Sequence, residues 1–357
     1  MRLLFRLNLG GELGGGHRGP AEGLGHATRC LALAEALRDQ APAAEILFAL
    51  RGPEAALALF RDLGFACHRV AEEGDCLRQL RPDATILDLN DADRDLIALY
   101  RGRGPVINLA ARGRAKHYAD LTFNNTAVDL EPAPADARPG PWHRGPRYAL
   151  IARRFTALRP AAEAPPPERF SCLVCLGGID RDGMTGTVLE ALVSSPKLDV
   201  PVTVVAGTLN PHLAALRAKA ARRPEVFTLA VDPPDFPRRL AAASLGIFGL
   251  GGLTDEGLTL GVPSLNLGLT RFHERRGRAL EAEGVIAYLG RFGEVPAEAI
   301  LDALLGLRDD PGRLAAQRRR ALALYDGQGG RRVAQAILGF LESRAPAHRS
   351  GADPAPA

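Results

Sequence analysis

The stretch Phe248-Gly-Leu-Gly-Gly-Leu-Thr-Asp-Glu-Gly-Leu-Thr-Leu-Gly-Val-Pro263 decides the fold class. It follows an apolar run at 245–248 with the length of a buried strand, and another such run at 263–267 comes after it. Strand, glycine turn, helix beginning near Thr254 and a further strand make one step of a parallel α/β sheet. Gly251 and Gly252 bare the backbone at the helix start, where unbonded N–H groups and the helix dipole favour an anion. With Leu253 and the Thr254 hydroxyl they form a candidate phosphate cradle over 251–254. Glu256, in the first turn, would repel a diphosphate but can accept hydrogen bonds from both hydroxyls of a ribose. The competing reading makes 249–252 a flexible loop and Glu256 a dipole-favoured helix charge.

The same alternation extends in both directions. Upstream, strands are expected at Leu3–Leu7, Glu45–Leu50, Ala84–Leu89, Val106–Leu109 and Leu121–Asn124, with helices at 26–38, 53–63 and 92–101. A proline-rich segment begins at Asp129, and a second proline cluster lies at Pro165–Pro167. The alternation then restarts, with strands expected at 170–176, 201–206, 226–231, 245–248, 263–267 and 285–289. Residues 296–342 read as helical apart from Asp326-Gly-Gln-Gly-Gly330. The expected architecture is α/β: two Rossmann-like domains whose parallel sheets face a central cleft. The expected division is 1–128, a linker and docking segment at 129–168, a nucleotide-binding domain at 169–345 and a disordered tail at 346–357.

The first half carries its own glycine turn, Gly23-Leu-Gly-His-Ala-Thr-Arg29, after the first strand. Gly23 and Gly25 permit a tight turn and close approach to a ligand. His26 and Arg29 are three apart and share the first helical turn. A histidine there can exchange a proton near neutral pH, while an arginine can clamp an anion or a carboxylate. A dinucleotide fingerprint would require glycine where Thr28 stands, so NAD is not expected.

Composition sets outer limits. The chain has 357 residues, 46% hydrophobic and 24% charged, with a net charge of +4. Its basic residues are scattered among 41 acids, which is no nucleic-acid footprint. Neither a secretory leader nor about 20 uninterrupted apolar residues is found, so a cytoplasmic protein without an integral membrane segment is expected. Of five cysteines, Cys172 and Cys175 match C-x-x-C. On a strand, residues i and i+3 point to opposite faces, so these two are read as core residues, not a bridge or a metal site.

Gly23-Leu-Gly-His-Ala-Thr-Arg-Cys-Leu-Ala-Leu-Ala34 resembles the G-x-G-H-x-x-R-x-x-x-L-A signature of one GT-B-type group. That group contains the UDP-sugar hydrolase of pseudaminic acid biosynthesis and the SpsG-like predicted glycosyltransferases. The GlcNAc transferase of peptidoglycan synthesis is similar more distantly. Cys175-Leu-Gly-Gly-Ile-Asp180 resembles the group's C-x-G-G-x-D, which brings Gly177 and Gly178 into the candidate nucleotide site. Phe248–Pro263 resembles its nucleotide-holding element, with the acid one residue early, and Asp326-Gly-Gln-Gly-Gly-Arg-Arg-Val333 resembles D-G-x-G-x-x-R-V. The match runs from Leu3 to Leu341.

The resemblance implies that His26 lies in the active site and that a UDP-sugar is the partner. His26, across the cleft from the diphosphate, is the candidate base, with Arg29 positioning it or an acceptor carboxylate. The chain departs from the hydrolase pattern on the sugar side. Asp88-Leu-Asn90 stands where that pattern has an aromatic D-x-Y, and Phe272-His273 where it has Asn-Gln. Asp88, Asn90 and His273 are therefore the candidates for contacts to sugar or acceptor. The longer loop adds His17 and Arg18 nearby. Asp91-Ala-Asp93 lies away from the expected diphosphate, so no metal and no cofactor are expected. The resemblance thus implies an inverting, metal-independent glycosyltransferase of surface polysaccharide or nonulosonic acid biosynthesis. The alternatives are a UDP-sugar hydrolase, an epimerase of the same group and a non-catalytic nucleotide-sugar-binding protein.

Overall fold

The computed structural model describes residues 1–9, 24–130, 132–159 and 169–344. Gly23, His17 and Arg18, the second proline cluster and the expected tail at 346–357 lie outside the described residues.

The first half is a seven-stranded, wholly parallel sheet built from β1 (Arg2–Asn8), β2 (Glu45–Arg51), β3 (Ala66–Arg69), β4 (Ala84–Asp88), β5 (Val106–Asn108), β6 (Leu121–Asn124) and β7 (Trp142–Arg144). Their order is β3-β2-β1-β4-β5-β6-β7. Phe5 of β1 is level with Phe48 and Ile86 on its two neighbours. Helices α1 (Leu24–Gln40), α2 (Glu54–Asp62), α3 (Glu73–Leu80) and α4 (Arg94–Arg101) connect the strands. The central strands are mostly apolar on both faces because helices cover both, as parallel sheets require; Arg6 of β1 is the buried exception, paired with Glu73 at 2.6 Å. Leu3, Phe5 and Leu7 pack with α1, whereas Leu4 packs with α3 and α4.

After the short α5 (Arg153–Thr156), the second half repeats the plan. Strands β8 (Cys172–Cys175), β9 (Val202–Ala206), β10 (Phe227–Val231), β11 (Leu245–Gly249), β12 (Ser264–Gly268) and β13 (Ala287–Arg291) form a six-stranded parallel sheet in the order β10-β9-β8-β11-β12-β13. Its helices are α6 (Met184–Val193), α7 (Leu213–Ala220), α8 (Phe236–Ala242), α9 (Gly252–Thr259), α10 (Arg271–Ala282) and α11 (Ala297–Arg308). Cys172 and Cys175 lie in different core clusters on the two faces of β8.

Two further helices close the chain: α12 (Pro311–Leu324), capped by Asp310, and α13 (Gly329–Arg344). The last crosses back to the first half, where Val333, Ala334 and Ile337 share a core with Leu33 and Leu37 of α1. The Asp326–Val333 motif makes that crossing. Asp326 accepts from the Gln328 backbone N–H at 2.9 Å and from Arg332 Nη1 at 2.8 Å. A Cβ on Gly329 would meet the Ala149 carbonyl at 2.0 Å, so only glycine lets the helix start there. The segment 145–151 touches both halves: Tyr148 and Leu150 join the first core, and Ile151 joins two of the second.

Sequence periodicity passes over β3, α3 and β7. The two strands are short, half-buried sheet edges and carry neither a continuous apolar run nor a clean alternation. Helix α1 also begins at Leu24, not His26, so Gly25 is a helical residue.

Candidate functional site

Each sheet reverses its strand order between its first and fourth strands, β1/β4 in one half and β8/β11 in the other. Ligands of open α/β sheets bind beyond the strand ends at that point. Here the two switch points line opposite walls of a cleft of about 780 Å³.

On the first wall, α1 presents Gly25, His26 and Arg29 to the cleft, and the chain leaving β4 presents Asn90. Asp88, expected on the sugar side, is 0% exposed and lies beneath His26. Its Oδ1 is 3.1 Å from His26 Nδ1, and its carbonyl oxygen is 3.2 Å from the same nitrogen. Arg29 Nε donates to Asp88 Oδ2 at 2.6 Å, with a second bond from Nη2 to Oδ1, and Nη2 also lies 3.0 Å from His26 Nδ1. The Cys30 thiol approaches the carboxylate at 3.3 Å. Burial opposes ionisation of Asp88, yet the adjoining Arg29 and His26 hold it well below the usual carboxylate range. The Asp88 carboxylate and carbonyl oxygens favour the proton on Nδ1; Arg29 Nη2, already donating to Asp88 Oδ1, then makes no hydrogen bond to that nitrogen. Nε2 is then the acceptor, 3.3 Å from Asn90 Nδ2.

On the second wall, β8 leads to Gly177 and Gly178, and β11 leads to Gly251 and Gly252; all four line the cleft. The Asp180 carboxylate holds the start of α6 by accepting from the Met184 and Thr185 N–H groups at 3.0 and 2.8 Å. The phosphate cradle is narrower than expected. Gly251 N–H donates to the Gly249 carbonyl and Thr254 N–H to the Gly251 carbonyl, which leaves Gly252 and Leu253 as the outward N–H groups. The Thr254 side chain turns away from the cleft. It is fully buried, donates to the Gly249 carbonyl at 2.9 Å and accepts from Asn266 Nδ2 at 3.0 Å. Its hydroxyl braces the glycine turn.

Glu256 lines the cleft beside the cradle. Burial pushes its carboxyl up to about 7, with Arg154 opposing the rise and Asp255 adding to it. His273, near the start of α10, faces the same space, and burial together with Arg112 and Arg276 pushes it down to about 4. The ring is therefore neutral at pH 7. Its Nδ1 accepts from the Leu269 backbone N–H at 3.2 Å, which places its proton on Nε2.

Several cleft residues escape the sequence reading. Arg112, in the turn after β5, and Arg154, in α5, bring positive charge to the cleft, and neither makes an ion pair among the described residues. Arg112 follows the C-terminal end of a strand, which was the available signal; nothing local marks Arg154. Asp255 and Arg276 form a buried ion pair at 2.5 Å that also receives Asn125 from the first half. A second hollow of about 480 Å³ adjoins the first wall, bordered by Asn90, Asp91, Asp93, Gly113, Arg114 and Pro132. Among the described residues no cluster of three or more His, Cys, Asp or Glu side chains is arranged for a metal, and no helix is long and apolar enough to cross a membrane.

No family model and no curated protein matches the chain. Solved structures do. Acinetobacter baumannii MurG superposes with a TM-score of 0.64 at 17% identity, over 95% of this chain and 100% of that one. The spinosyn rhamnosyltransferase SpnG, complexed with thymidine diphosphate, gives 0.62 at 18% identity over 96% and 100%. Anabaena HepE in complex with UDP-glucose gives 0.59 at 13% identity over 96% and 100%. The chain has the GT-B-like fold, two parallel-sheet α/β domains, along nearly its whole length.

Proposed function

We propose that the chain is a glycosyltransferase that takes a sugar from a nucleotide-diphospho-sugar, a UDP-sugar, and passes it with inversion to an acceptor hydroxyl. The observation that carries this reading is the opposition, across one cleft, of an oriented His26 base and a bare-backbone helix start at Gly252–Leu253. The neighbours' nucleotide ligands, thymidine diphosphate in SpnG and UDP-glucose in HepE, support a nucleotide on this fold.

The diphosphate lies at the start of α9, with Gly177 and Gly178 alongside, and Glu256 accepts from the ribose hydroxyls. His26 Nε2 removes the proton of the acceptor hydroxyl as its oxygen bonds to the anomeric carbon from the face opposite the leaving group. The bond from that carbon to the phosphate oxygen breaks, and the nucleoside diphosphate departs with the electron pair. Charge growing on the departing oxygen meets the Gly252 and Leu253 N–H groups, Arg112 and Arg154. These groups make a metal unnecessary to the scheme. His273 offers its Nε2–H to the sugar or the β-phosphate.

Transfer is favoured over hydrolysis by the second hollow, which shares Asn90 with the main cleft and gives an acceptor larger than water room next to that residue, whose Nδ2 is 3.3 Å from His26 Nε2. The sequence resemblance points to surface polysaccharide or nonulosonic acid biosynthesis. Thermal shifts with UDP, GDP, dTDP and CMP test the nucleotide. Release of UDP from a UDP-sugar, with and without acceptor, separates transfer from hydrolysis. His26→Ala should abolish turnover while leaving UDP affinity nearly intact; a fully active variant removes His26 from the mechanism.

A further inference from the structure

Asn125 joins the two halves across the cleft. Its Nδ2 donates to Asp255 Oδ2 at 2.5 Å, and Arg276 Nη2 donates to Asp255 Oδ1 at the same distance. Asp255 and Arg276 are 2% and 5% exposed. Arg276 Nη1 reaches the carbonyls of Leu250 and Gly251 at 3.4 and 3.3 Å, so the ion pair grips the glycine turn from behind. Asn125, Asp255, Arg276 and the turn thus form one connected chain of bonds.

The preceding residue aims Asn125. Asn124 is buried, and its Nδ2 donates to the Phe123 and Ala110 carbonyls at 2.8 and 3.2 Å. Its Oδ1 accepts from Trp142 Nε1 at 2.8 Å. With both ends of that amide engaged, the chain leaving β6 has a fixed direction toward the second half. An amide is also the suitable donor chemically. It satisfies an Asp255 lone pair that Arg276 leaves open, and it adds no charge beside a diphosphate site.

We propose that Asn125 is a positioning residue. Through Asp255 it docks the cradle helix α9 onto the half that carries His26, and so sets the span between leaving group and base. Its consequence for turnover rests on the proposed transferase function, but the docking itself can be tested without it. Relative motion of two domains is the default where their interface is small. A hydrogen bond to a charged group shifts such an equilibrium by about ten- to a hundredfold.

The experiment compares full-length wild type with Asn125→Ala, Asn125→Gln and Asn125→Asp in three measurements: small-angle scattering without ligand, UDP affinity by calorimetry, and kcat and KM for the UDP-sugar. Asn125→Ala should enlarge the radius of gyration, keep UDP affinity within about twofold and lower kcat about tenfold. Asn125→Gln, which keeps the amide, should recover part of kcat. Asn125→Asp, which faces Asp255 with a like charge, should fall below Asn125→Ala. Unchanged scattering with unchanged kcat in Asn125→Ala overturns the proposal. A loss of UDP affinity that matches the loss of kcat, with unchanged scattering, also overturns it, because Asn125 would then be touching ligand. If wild type binds no nucleotide, the transferase function fails, and scattering alone decides the docking: expansion upholds it and identity refutes it.

Discussion

The Asp88 carboxylate lies 3.1 Å from Nδ1 of His26, buried beneath the histidine and bonded on its other side to Arg29. This arrangement gives His26 a direction as well as a partner: the proton is held on Nδ1, and Nε2 is turned toward the cleft. Asp88→Asn keeps the shape but removes the charge that would stabilise the imidazolium formed if His26 acts as the proposed base. Turnover should fall about 10²- to 10⁴-fold, with UDP affinity unchanged. The same substitution has a pH signature. Asp88 is held below its ordinary value of 3.8, so its stabilising contribution is complete above that value and is lost as pH falls through the lower folded one. Below about pH 4, melting temperature should therefore fall more steeply in wild type than in Asp88→Asn. Equal slopes, or an Asp88→Asn variant with full kcat, would refute the role.

Glu256 titrates in the opposite sense. Burial raises its carboxyl from 4.5 to about 7, so the folded chain binds more protons than the unfolded one between those values. Stability from this group falls as pH rises across that window, and the whole penalty is present above it. Glu256→Gln should melt higher than wild type at pH 8, with the difference shrinking toward pH 4.5. If the ionised carboxylate accepts the ribose hydroxyls, wild-type affinity for a UDP-sugar should increase with pH through about 7, and that of Glu256→Gln should be weaker and flat. A Gln variant that binds as tightly as wild type at pH 8 would place the ribose elsewhere.

Much of this architecture was legible because parallel strands buried on both faces write themselves as apolar runs, and glycine turns mark the strand ends where ligands bind. Gly177, Gly178, Gly251 and Gly252 could be placed on one wall from their position after β8 and β11 alone. Side-chain direction was not legible. A place at a helix start put Thr254, and the family resemblance put Asp88, on the expected ligand side, but Thr254 turns inward to the Gly249 carbonyl and Asp88 is covered by His26. Contacts made by residues distant in sequence were also hidden. Nothing around Asn125 signals that it meets Asp255, and nothing in the amphipathic pattern of α13 tells which half it packs on.

His273 offers a test of hydrogen-bond chemistry without charge. Pushed down to about 4, the ring stays neutral across the physiological range, with Nδ1 engaged by the Leu269 N–H and Nε2–H directed to the cleft. A neutral donor of similar reach should replace it, and an apolar side chain should not. His273→Gln is expected to retain kcat/KM within about tenfold, while His273→Leu, losing a hydrogen bond to a charged or polar substrate group, should lose about ten- to a hundredfold. Steady-state kinetics with one UDP-sugar separates them; equal losses would mean that His273 only packs.

Gly252 separates binding from folding most cleanly. It opens α9, is exposed to the cleft, and a Cβ built on it meets nothing within 4 Å. Its φ is not in the left-handed region, so alanine is compatible with the backbone and should even favour the helix slightly. The added methyl would nevertheless stand beside the N–H groups of Gly252 and Leu253, in the space a phosphate must enter to reach them. Gly252→Ala should therefore melt at or above the wild-type temperature, yet bind UDP at least about tenfold more weakly, because an approach that depends on bare backbone is blocked. Thermal melting and calorimetry on the same preparation read both effects. Unimpaired UDP binding in a well-folded Gly252→Ala variant would move the diphosphate away from the start of α9.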